Sequence, residues 1–367
     1  MLLSVIMISP VTAGAYTSGD FGYLVKSGKA VIYSYYGKKS DLVVPAKLGG
    51  YKVTSIDEKA FAEHSFRKVT ISKGIKKIGG EAFRECGISE LKLPSTITTI
   101  ASEAFAQNNF ETVTLPKKAV NLGESVFDSC RKLKKVTLSS KLTKIPKNLF
   151  CNCRKLKTVK LPSTLKSIGE GAFAWCVKLE KVTFPAKLTK IGESAFTICT
   201  SLKKVKLPYS LKEIGNHAFC DCMALSEITV PDGVTKIGSF AFGYCEELMG
   251  DESTEHTKND PFTVKAYKNS SAATYAKDNE LTYKELKAPT KVKLNKKSAK
   301  LKVGKTLKLK ATLKSKKATT VLAWKSSNKK IVSVSSKGKV KAKKRGSAVI
   351  TVKTHNGKKA KCKITVK

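Results

Sequence analysis

The sequence predicts an α/β solenoid of stacked short strands followed by a small all-β sandwich. Three observations predict it. An Ala/Val/Leu-Phe pair recurs nine times at a period of 22 or 23 residues. From Pro289 to Lys367 there are 27 Lys/Arg and no Asp or Glu, whereas the rest of the chain holds 43 basic and 28 acidic residues. That acid-free segment alternates apolar and polar residues between closely spaced turn signals, an all-β pattern. The formal net charge of +42 is thus divided into +27 on the last 79 residues and +15 elsewhere, and such a step marks a domain boundary. With 41% hydrophobic residues among 367, each part can bury a core.

At the N-terminus, Leu2 to Ile8 is an apolar run followed by Pro10 and the small residues Ala13-Gly14-Ala15. This is the core and cleavage pattern of a secretory signal peptide. The positively charged segment that normally precedes such a core is missing, so a start placed too late or a trimmed sequence is expected. An N-terminal core strand is the alternative. No other apolar run approaches the ~18 residues of a membrane-spanning helix. The first cysteine is Cys86 and the sequence ends CKITVK, so neither a lipid-anchor cysteine nor a hydrophobic sorting tail is read. The expected location is extracellular or on the cell surface, with non-covalent attachment.

The repeat places Phe at 61, 83, 105, 127, 150, 173, 196, 219 and 242. Five residues before each lies an aliphatic, Ile56 and Leu122 among them, usually followed by Gly, as at Gly79, Gly123 and Gly169. Each unit also holds an alternating run ending in Pro, such as Val159-Lys160-Leu161-Pro162. The run reads as a short strand with Val and Leu facing inward. Pro stops it for want of an N–H. The return limb is expected to turn at the Gly and bury Ile, Ala and Phe. One unit cannot bury its own apolar face, but a stack shares one core. Nine or ten coils at ~4.8 Å give roughly 45 Å of stack.

These residues resemble the BspA-like leucine-rich repeat, with its L-xx-V-x-LP-xx-L-xx-IG-xx-AF-xx-C pattern, from about Asp41 to Leu248. Ser72 and Ser139 depart from it at the strand-ending Pro, and Pro146 at the Gly. Ser18 to Tyr23, with Val43-Val44-Pro45 and Gly50 to Val53, looks like the N-terminal cap of such proteins. Phe262 to Tyr267, with Ser271-Ala272 and Tyr275 to Asn279, looks like the terminal unit, and Gly250 to Asp260 reads as a polar loop. The expected organisation is a signal peptide over 1–15, truncated at its start, then an N-terminal cap and first strand unit over 16–60. Leucine-rich repeats follow over 61–250, a loop and C-terminal cap over 251–288, and the sandwich over 289–367.

Cys86, Cys130, Cys153, Cys176, Cys199, Cys222 and Cys245 each follow a repeat Phe by three residues, and His64 and Asn108 take the same slot elsewhere. A slot filled once per coil is a stacking ladder, in which Cys acts as a small buried hydrophobe. Disulfides between neighbouring coils are the alternative. Cys151-x-Cys153 and Cys220-x-Cys222 lie three coils apart, too far to share a tetrahedral metal ion. No nucleophile elbow, P-loop, HExxH or dinucleotide fingerprint occurs. His64 and His217 fall in variable repeat positions, His256 in the loop and His355 in a turn, so no histidine has a catalytic neighbour. No catalytic, cofactor-binding or metal residue is assigned, and no cofactor is expected.

Two surfaces are candidates for binding. The outward strand positions form a Thr/Lys face, with Lys92, Thr114, Lys135, Thr137, Lys160, Lys181, Thr183, Lys204 and Lys206 as the candidate partner-binding residues. Solenoids bind partners across such extended sheets, and this one suits an acidic protein or an anionic polymer. A purely structural reading stands beside it: Thr favours strands, and Lys keeps the sheet soluble and blocks edge pairing. The slot two after the repeat Phe holds Trp175, Ile198 and Tyr244, a candidate apolar patch that packing between coils would equally explain.

The acid-free segment resembles the bacterial Ig-like group 2 domain. The residues that carry this are Leu301-x-Val303-Gly304-Lys305-Thr306, Trp324 to Asn328, Gly338-Lys339-Val340-x-Ala342, Gly346-x-Ala348-x-Ile350-Thr351-Val352 and Cys362 to Val366. Asn356-Gly357 signals a hairpin, and Trp324 and Cys362 are expected in the core. The resemblance implies a spacer or binding module of surface proteins. Its charge is self-repelling unless anions screen it, and the phosphate polymers of a cell wall are one such source.

Together these readings predict a non-enzymatic, exported or cell-surface binding or adhesion protein. Its solenoid face recognises a protein or an anionic cell-wall or host-surface polymer, and the basic domain is a spacer or wall tether. A targeting subunit of a cell-wall or polysaccharide-active system is the alternative. Nucleic-acid binding is disfavoured, since export and the lack of stacking aromatics on the basic face oppose it. No membrane span is expected, and the oligomeric state is not assigned.

Overall fold

The computed structural model describes residues 14–248, 254–314, 322–354 and 356–367. The expected signal peptide falls almost wholly outside them, as does His355. The chain divides into two compact units, one of residues up to 182 with 194–201, the other of 183–193 with 202–367.

In the first unit, strands Ala15–Ser18, Phe21–Lys26 and Lys29–Tyr35 form an antiparallel meander. The last pairs in parallel with Tyr51–Ile56, which passes the ladder to Lys77–Ile78, Thr99–Ile100 and Asn121–Leu122. The meander therefore covers the first coil's open edge. Except in the coil of Val205, where an isolated bridge joins Lys206 to Thr229, each repeat contributes two strands rather than the single one read from sequence. The first is the expected alternating run, such as Thr112–Thr114, Lys135–Thr137 and Thr158–Lys160, paired in parallel. The second is the two-residue strand ending at the aliphatic before the Gly.

A third line of inter-coil hydrogen bonds runs along the return limb. Ser125, Phe127 and Ser129 donate their N–H groups to the carbonyls of Lys147, Leu149 and Cys151. Neighbouring coils repeat this pattern at Phe83, Phe105 and Phe150. The limb achieves it by placing residues two before and two after each Phe from 61 to 219 in the left-handed region, for example Ser125 and Ser129, both at φ +55°. With three bonded lines per coil, the buried backbone is satisfied almost without helix. The α component of the fold is one helix among the described residues, Ser271–Asp278.

Two sequence features take on physical roles here. The strand-ending Pro offers its carbonyl to the N–H three residues on, as Pro162 does for Leu165 at 3.1 Å. Ser139 keeps the same turn with Leu142, because only the carbonyl is used. The repeat Gly does not serve the turn through an unusual φ. A Cβ on Gly123 would lie 2.2 Å from the Ser102 nitrogen, and one on Gly215 2.4 Å from the Glu193 nitrogen. Gly lets consecutive coils touch backbone to backbone. Inside the first unit, the rings of Phe61, Phe83, Phe105, Phe127, Phe150, Phe173 and Phe196 form a column with centroids 4.7–5.9 Å apart.

In the second unit, Lys190–Ile191, Glu213–Ile214 and Lys236–Ile237 form a parallel ladder. The terminal unit closes it. Strand Thr263–Ala266 pairs with Glu227–Thr229 and with Thr282–Glu285, and the helix, capped by Ser270, sets Tyr275 against Phe242. The segment read as a polar loop is instead half of a hairpin, with Thr254–Lys258 antiparallel to Tyr244–Leu248. The Ig-like region forms sheets with strand order Ser298–Leu301, Lys359–Val366, Gly346–Lys353, Ala323–Ser326 and Thr306–Lys308, Lys339–Ala342, Val332–Val334. Lys291–Leu294 pairs with Ala311–Lys314. Cys362 lies in the core with Ile350, Val340 and Ile364, and Trp324 packs half-buried against it.

Candidate functional site

The alternating strands set the candidate face directly. Val113, Val136, Val159, Val182 and Val205 are buried, and the residues between them point to solvent. All nine candidates, Lys92, Thr114, Lys135, Thr137, Lys160, Lys181, Thr183, Lys204 and Lys206, are exposed. Register aligns them in rows: Lys135 lies opposite Thr112 and Thr158, and Thr137 opposite Thr114. Lys92 belongs to a separate sheet with Asp41–Val44 and Lys68–Ile71, so the face is interrupted before Thr114. Thr183, Lys204 and Lys206 belong to the second unit.

The acids near this face sit at strand starts and are matched by other cations. Lys134 lies 2.6 Å from Glu111 and holds its carboxyl below the usual carboxylate range. Lys68 lies 3.2 Å from Glu90. Among the described residues, Lys92, Lys135, Lys160, Lys181, Lys204 and Lys206 make no ion pair. The face therefore presents ammonium groups whose charge is satisfied only by water and ions.

The slot two after the repeat Phe divides. Trp175 is 45% exposed, and the Arg154 guanidinium lies 6.0 Å from its ring centroid. Ile198 is half-buried. Both sit in the left-handed region, at φ +61° and +55°, where a bulky or β-branched residue is an outlier. Tyr244 is buried, with its hydroxyl donating to Asn279, so the structure does not bring it to the surface with the other two.

The cysteine slot has a function that sequence reasoning missed. Sγ of Cys86, Cys130, Cys153, Cys176 and Cys199 donates to the carbonyl of the preceding coil's Phe, at 2.9–3.4 Å. Asn108 donates to Phe83 O in the same place, and His64 Nε2 lies 3.0 Å from Tyr35 O. The common requirement is a small donor; the mixture of Cys, Asn and His in one slot was the available signal. None of the ten cysteines forms a disulfide. Burial pushes the Cys86 and Cys130 thiols up to about 12, so they stay protonated and unreactive.

Among the described residues no group of three or more His, Cys, Asp or Glu is placed to hold a metal ion, and no helix is long and apolar enough to cross a membrane. The hairpin does bring together two histidines that the sequence left apart: His217 Nε2 lies 3.1 Å from His256 Nε2, and both rings stack with Phe240. One depression of about 530 Å³ is lined by Ile100, Leu122 and their neighbours in the two-residue strands, and another of about 540 Å³ by Thr306, Ser333, Lys339 and Lys341 of the Ig-like domain.

Comparison with known proteins agrees with this geometry. Residues 54–177 and 122–249 match the BspA type leucine rich repeat region, and residues 288–364 match the bacterial Ig-like domain (group 2). Such repeats and domains typically serve as non-catalytic binding modules, and leucine-rich repeats generally bind proteins. No curated protein matches. Among solved structures, the chain is similar to a leucine rich cell surface protein from Faecalibacterium prausnitzii, with 21% identity, 63% of this chain and 96% of the other covered, and a TM-score of 0.31. It is similar to a leucine-rich repeat protein from Bacteroides ovatus, with 22% identity, 74% and 100% covered, and a TM-score of 0.38. It is also similar to the pneumococcal vaccine antigen PcpA, with 16% identity, 75% and 99% covered, and a TM-score of 0.43. With its repeats spanning more than half its length, the chain belongs to the BspA-type leucine rich repeat family.

Proposed function

We propose that this chain is an exported, surface-associated binding protein whose solenoid recognises a protein partner through the Thr/Lys face. The observation that carries the reading is the set of exposed, unpaired lysines Lys135, Lys160 and Lys181 on the strands of one parallel sheet, backed by buried valines. Such a surface offers uncompensated positive charge, so it favours an acidic epitope. The Ig-like domain acts as a spacer or as a tether to the wall, and adhesion follows from presenting the solenoid outside the cell.

Cell fractionation with a salt wash tests this. The expected result is protein in the medium or in a surface fraction, with the wall-bound share released by moderate salt. Purely cytoplasmic protein would sink the reading.

A further inference from the structure

The four-stranded sheet of the Ig-like domain turns Ile350, Val352, Cys362 and Ile364 to the core. Its other face carries six lysines and no carboxylate: Lys359, Lys361 and Lys363 on the last strand, Lys353 beside them, and Lys300 and Lys325 on the flanking strands. Register sets Lys353 directly opposite Lys359, and sets Thr351 between Lys361 and Lys325. Like charges facing each other across a strand pair are destabilising. The domain contains no Asp or Glu to relieve them, and among the described residues none of the six lysines makes an ion pair.

We propose that this face is the docking surface for a linear polyanion made of phosphate esters joined by short polyol units. Charge complementarity is the first argument: an acid-free sheet with facing lysines is relieved by a ligand that brings its anions in a row. Spacing is the second. Alternate residues on one strand lie ~6.7 Å apart, so Lys359, Lys361 and Lys363 form a straight row of cations at that interval. A three-carbon polyol phosphate carries one charge per six single bonds, roughly 6–7 Å when nearly extended. The third argument concerns the rest of the face, which is Ser, Thr, Ala323 and Val349. Hydroxyls suit hydroxylated, phosphorylated chains, while a single-stranded nucleic acid would call for aromatic platforms that are missing here. The site deepens the proposed tethering role and rests on export for its biological meaning, but not for the binding itself.

The test uses the purified full-length chain, synthetic poly(glycerol phosphate) as probe and neutral dextran as control, titrated at several salt concentrations. Two triple variants of equal net charge are compared: K359Q/K361Q/K363Q on this face, and K308Q/K339Q/K341Q on the domain's other sheet. Thermal unfolding of each shows that it folds. The expected result is polymer binding without dextran binding, with the first variant weaker by at least tenfold and the second by less than threefold. The dependence of log affinity on log salt should flatten by about 2 in the first variant only. Equal losses in both variants, no polymer binding by the parent chain, or tighter binding of an oligonucleotide of the same charge would each overturn the proposal. Binding that persists in a protein found only in the cytoplasm would instead fault the surface reading and leave this site standing.

Discussion

Asn108 donates from Nδ2 to the carbonyl oxygen of Phe83 at 2.7 Å, in the place where Cys86 Sγ reaches the carbonyl of Phe61. The two side chains share no shape or polarity. They share a donor at the right reach, which the repeat Phe carbonyl needs once the coil turns it into the core. Asn108 also accepts from the Ile88 N–H at 2.9 Å, so its amide satisfies the backbone on both sides.

Asn108→Leu would leave the Ile88 N–H and the Phe83 carbonyl buried and unpaired. The expected loss is about 2–6 kcal/mol, from ~1–3 kcal/mol for each of the two orphaned groups. Asn108→Cys should lose less, since the thiol restores the bond to Phe83. Denaturant unfolding of both variants measures the difference, and equal losses would show that the donor is not what the slot selects.

The thiols give a pH dependence of defined sign. Burial raises Cys86 and Cys130 from 9.0 to about 12 in the folded chain. Their contribution to stability is complete below pH 9. It is lost as pH rises through the window from about 9 to 12, because the unfolded chain releases protons that the folded one keeps. Thermal unfolding from pH 7 to 11 should show a midpoint that falls above pH 9, and less steeply in Cys86→Ala/Cys130→Ala than in the parent. At pH 8 a soluble alkylating reagent should label the unfolded chain quickly and these two thiols in the native chain hardly at all.

Gly123→Ala would push a methyl group to within 2.2 Å of the Ser102 nitrogen, and the neighbouring coil can yield only by shifting its backbone. The expected cost is about 1–3 kcal/mol, occasionally more. Gly304→Ala, where nothing lies within 4 Å but φ is +83°, separates conformational strain from backbone crowding in the same assay.

Ile198→Asn relieves a β-branched residue held at φ +55°. Asn tolerates that region, so the variant should be as stable as the parent or more stable by up to ~1 kcal/mol. A loss above ~1 kcal/mol would show that packing between coils retains Ile198. A stable variant with weakened partner binding would identify the Trp175–Ile198 surface as functional.

Lys135→Glu with Lys181→Glu should leave stability within about 0.5 kcal/mol per site, because both residues are exposed and unpaired. If the Thr/Lys face binds an acidic partner, association slows and its salt dependence falls. Unchanged association kinetics would remove this face from consideration.

Much of this was legible because the repeat multiplies its own signal. Nine copies of Phe at 22- or 23-residue spacing, with an aliphatic five residues before each, determine a stack before any residue is placed. The charge step at Pro289 and the Ile350/Cys362/Ile364 alternation likewise determine a separate sandwich with one buried side. What sequence could not decide was anything set by the neighbouring coil. The donor role of Cys130, the backbone contact behind Gly123 and the left-handed setting of Ile198 arise from groups 20 or more residues away. So do the burial of Tyr244 under the closing helix and the meeting of His217 with His256. Periodicity records which side chains face inward, because one chain's alternation is a local property. Which atom each one meets depends on the register between coils, and only the stacked tertiary structure sets that.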